Sequence, residues 1–428
     1  MGKSTFSSKD ELPFWQPLTV RNFLLLFIGE SVSLLGDQFF LVALPWLTIQ
    51  LTNSPVSLGA VLMAAAVPRA ILMLLGGVVS DRLSPRFIML VCHALCAVLT
   101  TLLTVLIFLQ AAQIWLLYLF AISFGIVEGF SIPAARSIIP TLVTQEQLIA
   151  SNTLSQGVTQ LIVLIGPALG GLLIASVGIE KAFAIDAASF IFSVVTLLLI
   201  KSGRQQITNE IPEIFDQSIK KPSLTSKTIS LITGIREGLN YVWHNPALRA
   251  VLLVITAINL FFLGPLEVGI TSLAQSRFFG GAIALGTMKS AWGGGALLGT
   301  LMTGFLRHPP RLGILMLSLA SIQGFGLFLL GLLPNIVLAS ITIAVLGCCS
   351  GFFTVLGITW IQKRTPPEML GRVMSLGMFS AFGIAPFSYA LAGLLADLNL
   401  IILFSVPGGI IVTINALLAV NPSVRTIE

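Results

Sequence analysis

Apolar runs of about twenty residues, separated by short segments carrying charge, proline or clustered glycine, recur along the whole chain. A bilayer core about 30 Å thick is crossed by roughly 20 residues of helix. The pattern therefore predicts twelve membrane-spanning helices, near 22–49, 56–79, 87–109, 114–133, 153–177, 181–200, 248–271, 282–305, 312–332, 335–358, 372–396 and 399–420. The longest polar stretch divides them six and six. The expected layout is a tail at 1–21, a six-helix bundle at 22–200, a linker at 201–247, a second six-helix bundle at 248–420 and a tail at 421–428. In the linker, Leu231, Ile235, Leu239 and Val242 share one helical face, which predicts an amphipathic helix lying on the membrane. The polar start of the chain lacks the features of a cleaved signal peptide and is expected to remain.

Lys and Arg fall mainly on alternate connections, among them Arg82, Arg86, Arg136, Lys220, Lys221, Arg307, Arg311, Lys363 and Arg364. The opposite connections carry only Lys181 and Arg277. Because cationic loops are retained in the cytoplasm, both termini are expected there. The net charge of +6 is then a consequence of topology and of attraction to anionic lipid, not a nucleic-acid footprint.

Composition closes off the soluble alternatives. Charged residues make up 9% of the 428, against roughly 25% in an ordinary soluble domain, and the mean hydropathy is +0.99. Cys92, Cys96, Cys348 and Cys349 all lie inside apolar runs, where packing accounts for them and disulfide pairing does not. No metal site is expected, because Cys92 and Cys96 lack further ligands on their face of the helix.

Ionisable side chains at membrane depth are costly, so each is a functional candidate. Five stand out: Glu30 and Asp37 in the first span, Arg69 in the second, Glu128 in the fourth and Asp186 in the sixth. Glu30 and Asp37 are seven apart and return to nearly the same helix face. At 1.5 Å per residue, Glu30 lies about 12 Å deep and Arg69 about 15 Å, so the two are expected to pair. Asp37 and Asp186, about 22 and 21 Å deep, share an outer level. Glu30 or Asp37 is the first candidate for exchanging a proton during transport, with a purely structural role as the alternative; Glu128 is expected to be structural, beside Arg136. Phe39, Phe40, Trp46, Phe261 and Phe262 are the candidates for a substrate cavity. Glu267 and Lys289 read as interfacial or gate charges.

The turn GVVSDRLSPR places Gly77, Asp81, Arg82 and Arg86 between the second and third spans, and IGPALGG places Gly166, Pro167, Gly170 and Gly171 in the fifth. On these motifs and their positions the chain resembles the major facilitator superfamily over essentially its whole length. Departures are Ser84 and Pro85 in the turn and Ile162 before the glycine motif. Shorter pieces, including PAARSIIPTL, AFAIDAASF and LGRVMSLG, are similar to the branch holding macrolide-efflux proteins and enterobactin-type siderophore exporters. The fourth-span arginine of many drug exporters has no counterpart here, where Ala121 precedes Gly125 by four residues.

The resemblance implies an all-α membrane protein of two six-helix bundles in a bacterial cytoplasmic membrane, with Gly77, Asp81, Arg82 and Arg86 as a conformational latch. The glycine motif implies an antiporter and so a lean towards export. The implied function is proton-coupled efflux of an amphiphilic small molecule, drug-like or siderophore-like, with lipid or lysophospholipid flipping as the alternative. A transport-inactive membrane receptor or a membrane enzyme is the alternative of another class, and the sequence gives it little: no HExxH, GxxxxGK[ST] or GxSxG is present, and no ATP-driven pump is expected. No cofactor is expected beyond the proton gradient, and the chain is expected to act as a monomer. The Glu at 146 is echoed at 368, and the same offset carries Asp81 to Thr303, so the second half has lost the latch acid.

Overall fold

The computed structural model describes residues 14–80, 83–201, 236–278, 280–305 and 312–420. These residues are all-helical. We number the long helices α1 (Arg21–Thr52), α2 (Pro55–Ser80), α3 (Pro85–Phe108), α4 (Ile114–Ile138), α5 (Leu148–Val177), α6 (Ile179–Leu199), α7 (Pro246–Phe261), α8 (Leu263–Ser276), α9 (Gly281–Phe305), α10 (Leu312–Leu330), α11 (Ile336–Arg364), α12 (Pro367–Met378), α13 (Ala385–Leu398) and α14 (Leu400–Val420). Local chemistry fixes their ends. Ser84 caps α3 by accepting from the Phe87 N–H, with Pro85 behind it, and Asn335 caps α11 by accepting from the Leu338 N–H. Asn53, at φ 49°, ends α1, and Gly178, at φ 101°, separates α5 from α6.

Eleven helical stretches among the described residues are long and apolar enough to cross a bilayer. Two of them each join two of these helices: α7 runs into α8, and α12 runs through a π-helical turn, Phe379–Gly383, towards α13. The break between α7 and α8 has a local cause. The hydroxyl of Ser388 accepts from the Gly264 N–H at 2.7 Å and donates to the Leu260 carbonyl at 2.7 Å. It thus stands where the helix would have bonded to itself, and Pro265 next in sequence supplies no donor.

The region expected to hold the eighth span is the 25-residue helix α9, which falls short of the others in apolarity. Lys289 and the run Gly293, Gly294 and Gly295 dilute its hydropathy, and the glycines have a packing reason. A Cβ on Gly286 would lie 2.2 Å from the Pro167 carbonyl of α5, and one on Gly295 would lie 1.9 Å from the Ala344 carbonyl of α11. Small residues let helix backbones approach this closely where water supplies no driving force between helices.

α1 packs against α5 and α6, α2 against α4, and α3 against α4 and α6. In the second half, α9 packs on α11, α10 on α11 and α14, and α8 on α13. The halves meet along two seams, α5 against α9 and α2 against α13. The linker reading is only partly accessible: 202–235, including Leu231 and Ile235, lies outside the described residues. A helix does span 236–244, with Leu239 exposed beside Trp243 and Val242 buried among Leu248 and Val373. Glu237 ties this helix to Arg372 at 2.6 Å.

Candidate functional site

Inside the first six helices lies a cavity of about 230 Å³ lined from α1, α2, α3, α4 and α6. Glu30, Asp37, Arg69, Glu128 and Asp186 all line it, so the five charges singled out from sequence share one wall space. Helix geometry explains the convergence. Glu30 and Asp37 lie two turns apart on α1, and the preceding residues, Gly29 and Gly36, admit the buried polar face of α6. A Cβ on Gly36 would lie 2.1 Å from Ser189 Oγ, and one on Gly29 would lie 2.0 Å from Thr196 Oγ1.

The pairing differs from the depth estimate. Arg69 donates to Glu128 Oε2 at 2.9 Å, not to Glu30, and Arg136 is not the partner of Glu128. Depth along single helices could not find this pair, because α2 packs against α4 and has little contact with α1. Glu30 instead faces His93, whose Nε2 lies 3.5 Å from Glu30 Oε1. His93 was absent from the sequence-based set, although a histidine within an apolar span was the signal available. Asp186 is fully buried, and neither carboxylate oxygen meets a donor among the described residues, Thr100 Oγ1 being committed to the Cys96 carbonyl.

A second, larger space of about 540 Å³ lies between the start of α1, the end of α4 and the start of α5. Glu30, Leu34 and Ala135 line both spaces, and Arg136 stands in the larger one. At the opposite end the halves are closed together. Gln275 of α8 donates to Asn53 Oδ1 at 2.8 Å, and Trp46 packs against Gly281.

Of the five aromatic candidates, Phe40 lines the inner cavity, between Phe124 at 4.5 Å and Phe183 at 5.8 Å. The others serve packing in this conformation. Phe39 lies on Gly170, Trp46 on Gly281, and Phe262 against Trp292 at 5.6 Å, while Phe261 is half-buried on the main core. In this conformation Phe40 is the one of the five that lines the inner cavity.

In the turn motif, Gly77 belongs to α2, and Asp81 and Arg82 lie outside the described residues. Arg86 donates to the Leu197 and Leu198 carbonyls at 2.9 and 3.0 Å, satisfying acceptors at the end of α6. In the glycine motif, Gly166 and Gly170 receive Gln38 and Phe39 of α1, while Pro167 and Gly171 meet Gly286 and Ala282 of α9. The motif therefore sits on the seam between halves. Glu267 and Lys289 form an ion pair with each other, and Tyr389 of α13 lies beside Arg69 of α2.

A closed end, a larger space or vestibule towards the other end, and two helical halves joined along two seams are a layout suited to a membrane transporter. The sequence matches the Major Facilitator Superfamily over residues 26–390, and the chain belongs to that superfamily. It is 26% identical over 353 residues to the enterobactin exporter EntS of Shigella flexneri, covering 82% of this chain and 79% of that protein. It is 25% identical over 384 residues to the multidrug efflux pump Tap of Mycolicibacterium fortuitum, covering 87% and 89%. Similar folds include the nucleoside transporter NupG, with TM-score 0.67 and 17% identity over 93% of this chain and 98% of that one. Another is a bacterial homologue of the human lysosomal transporter Spinster in an inward-facing, unoccupied conformation, with TM-score 0.63 and 14% identity over 97% and 98%. The protein is a multi-pass membrane transporter whose curated relatives are exporters.

Proposed function

We propose that this protein exports an amphiphilic organic molecule across a bacterial cytoplasmic membrane in exchange for protons, by alternating access. The observation that carries this reading is the inner cavity, where four carboxyl groups, Glu30, Asp37, Glu128 and Asp186, face a single guanidinium, Arg69. A bilayer interior tolerates unpaired charge poorly. Protons are the counter-charges at hand, and a carboxyl that gains one in one conformation and loses it in the other couples proton flow to rocking.

In this reading α9 is the twelfth span, both termini are cytoplasmic and residues 22–200 and 248–420 rock as two units about the α5–α9 and α2–α13 seams. The vestibule then opens to the cytoplasm and Asn53–Gln275 closes the far side. Gly77, Asp81, Arg82 and Arg86 latch one conformation, Gly166, Pro167, Gly170 and Gly171 set the seam, and Phe40 with the other aromatic candidates contacts substrate as the seal opens. The protein works as a monomer.

A second reading, lysophospholipid flipping, is favoured by an apolar cleft of about 200 Å³ between α2, α4 and the π turn, with Arg136 at its edge. Everted vesicles separate the two. Proton-gradient-driven accumulation of a macrolide, a cationic dye or a catecholate siderophore supports export, whereas movement of lysolipid alone supports flipping. Transport unaffected by collapsing the proton gradient would overturn the proton-coupled account.

A further inference from the structure

Glu30 separates two spaces, and His93 stands on the inner side of it. The vestibule and the inner cavity both have Glu30 in their walls, whereas His93 lines only the inner one. His93 Nδ1 is held 2.7 Å from Ser193 Oγ, and the ring stands edge-on to Phe190 at 5.7 Å. When Ser193 accepts from Nδ1–H, Nε2 is left as an acceptor aimed at Glu30. That carboxylate atom, Oε1, is buried and has no hydrogen-bond partner. The separation of 3.5 Å is outside hydrogen-bond range, so a movement of a few tenths of an ångström makes or breaks the contact.

A histidine present only to fill space needs Ser193 and Phe190. This one also presents its second nitrogen to an acid at the boundary between spaces. We propose that His93 is a proton relay between the vestibule and the inner carboxyls, which rests on the proton-coupled reading above. The Glu30 O–H bond breaks as the His93 Nε2–H bond forms, giving a carboxylate and an imidazolium. The same proton then passes to Asp37 or Asp186, returning the ring to neutrality. Glu30 loses one proton and an inner carboxyl gains one. The other groups facing this space are Arg69 of α2, Glu128 of α4 and, on its own helix, Cys96, with Cys92 one turn away.

The test is nitrogen NMR of histidine-labelled protein in lipid nanodiscs, with H93Q identifying the His93 signal beside those of His244 and His308. The ring is expected to change between neutral and charged forms with pH, and Glu30→Gln is expected to move the midpoint of that change. S193A, which keeps the imidazole but frees Nδ1, is expected to move the same midpoint and serves if H93Q does not fold. In everted vesicles with ethidium as probe, H93Q is expected to lose gradient-driven transport at least about tenfold and to keep substrate counterflow. A ring that ignores Glu30→Gln, or H93Q with full gradient-driven transport, overturns the relay. If E30Q, D37N and D186N all keep gradient-driven transport as well, the proton-coupled reading falls with it; if at least one of them loses it and H93Q does not, the relay alone fails.

Discussion

Arg69 and Glu128 form a 2.9 Å ion pair between α2 and α4 at the edge of the inner cavity. With Arg69 so committed, Glu30, Asp37 and Asp186 have no lysine or arginine partner among the described residues, and Glu30 faces only the His93 ring. Breaking a buried pair costs roughly 3–5 kcal/mol, and the partial exposure of Glu128 places this one below that range. Arg69→Gln is therefore expected to lower the thermal midpoint in detergent and to abolish transport. The double variant R69Q/E128Q should recover part of the stability, and a double variant as unstable as the sum of the single ones would contradict the pairing.

The Ser388 hydroxyl in the Gly264–Leu260 ladder predicts two graded losses. Ser388→Ala leaves both backbone groups unsatisfied, at a cost of roughly 1–3 kcal/mol. Gly264→Ala forces a methyl to within 2.0 Å of the Ser388 carbonyl, which the backbone must move to admit. Thermal unfolding should rank G264A below S388A and both below the parent.

Glycines of the α5–α9 seam should be intolerant where a nearby glycine is not. Gly171→Ala and Gly286→Ala each bring a methyl within 2.4 Å of a backbone carbonyl across the seam, whereas Gly157, also on α5, has nothing within 4 Å. The first two are expected to impair transport and stability, and G157A to be neutral or slightly stabilising. Equal behaviour of all three would remove the seam from the account.

The latch predicts a different kind of defect. Asp81→Asn is expected to slow transport while leaving equilibrium substrate binding largely intact, because a contact made in one of two states shifts populations without destroying a site. At Arg86, Lys cannot reproduce the forked donation to Leu197 and Leu198, so R86K should behave more like R86A than like the parent. Binding isotherms and transport rates on the same preparations separate these outcomes.

Much of the architecture was legible from hydropathy because a bilayer demands long apolar helices with internally satisfied backbones. Depth counting put Asp37 and Asp186 at one level, and the seven-residue spacing put Glu30 and Asp37 on one face of α1. Only the packing of α1, α3, α4 and α6 shows one cavity holding all three. Partner choice did not follow, because it depends on which helices pack: α2 meets α4, giving Arg69 to Glu128. His93 carries no spacing pattern of its own in the sequence, and its tie to Glu30 appears only once α3 is packed beside α6. The breaks near Phe262 and Phe379 were also invisible, since the Ser388 hydroxyl that interrupts one helix comes from more than a hundred residues away.

The most direct test of the central claim is proton-gradient-driven export in everted vesicles, comparing the parent with Glu30→Gln, Asp37→Asn and Asp186→Asn. The account predicts that the parent accumulates substrate only while the gradient stands, and that at least one of the three variants loses this accumulation yet retains counterflow. Full gradient-driven accumulation in all three variants would contradict it.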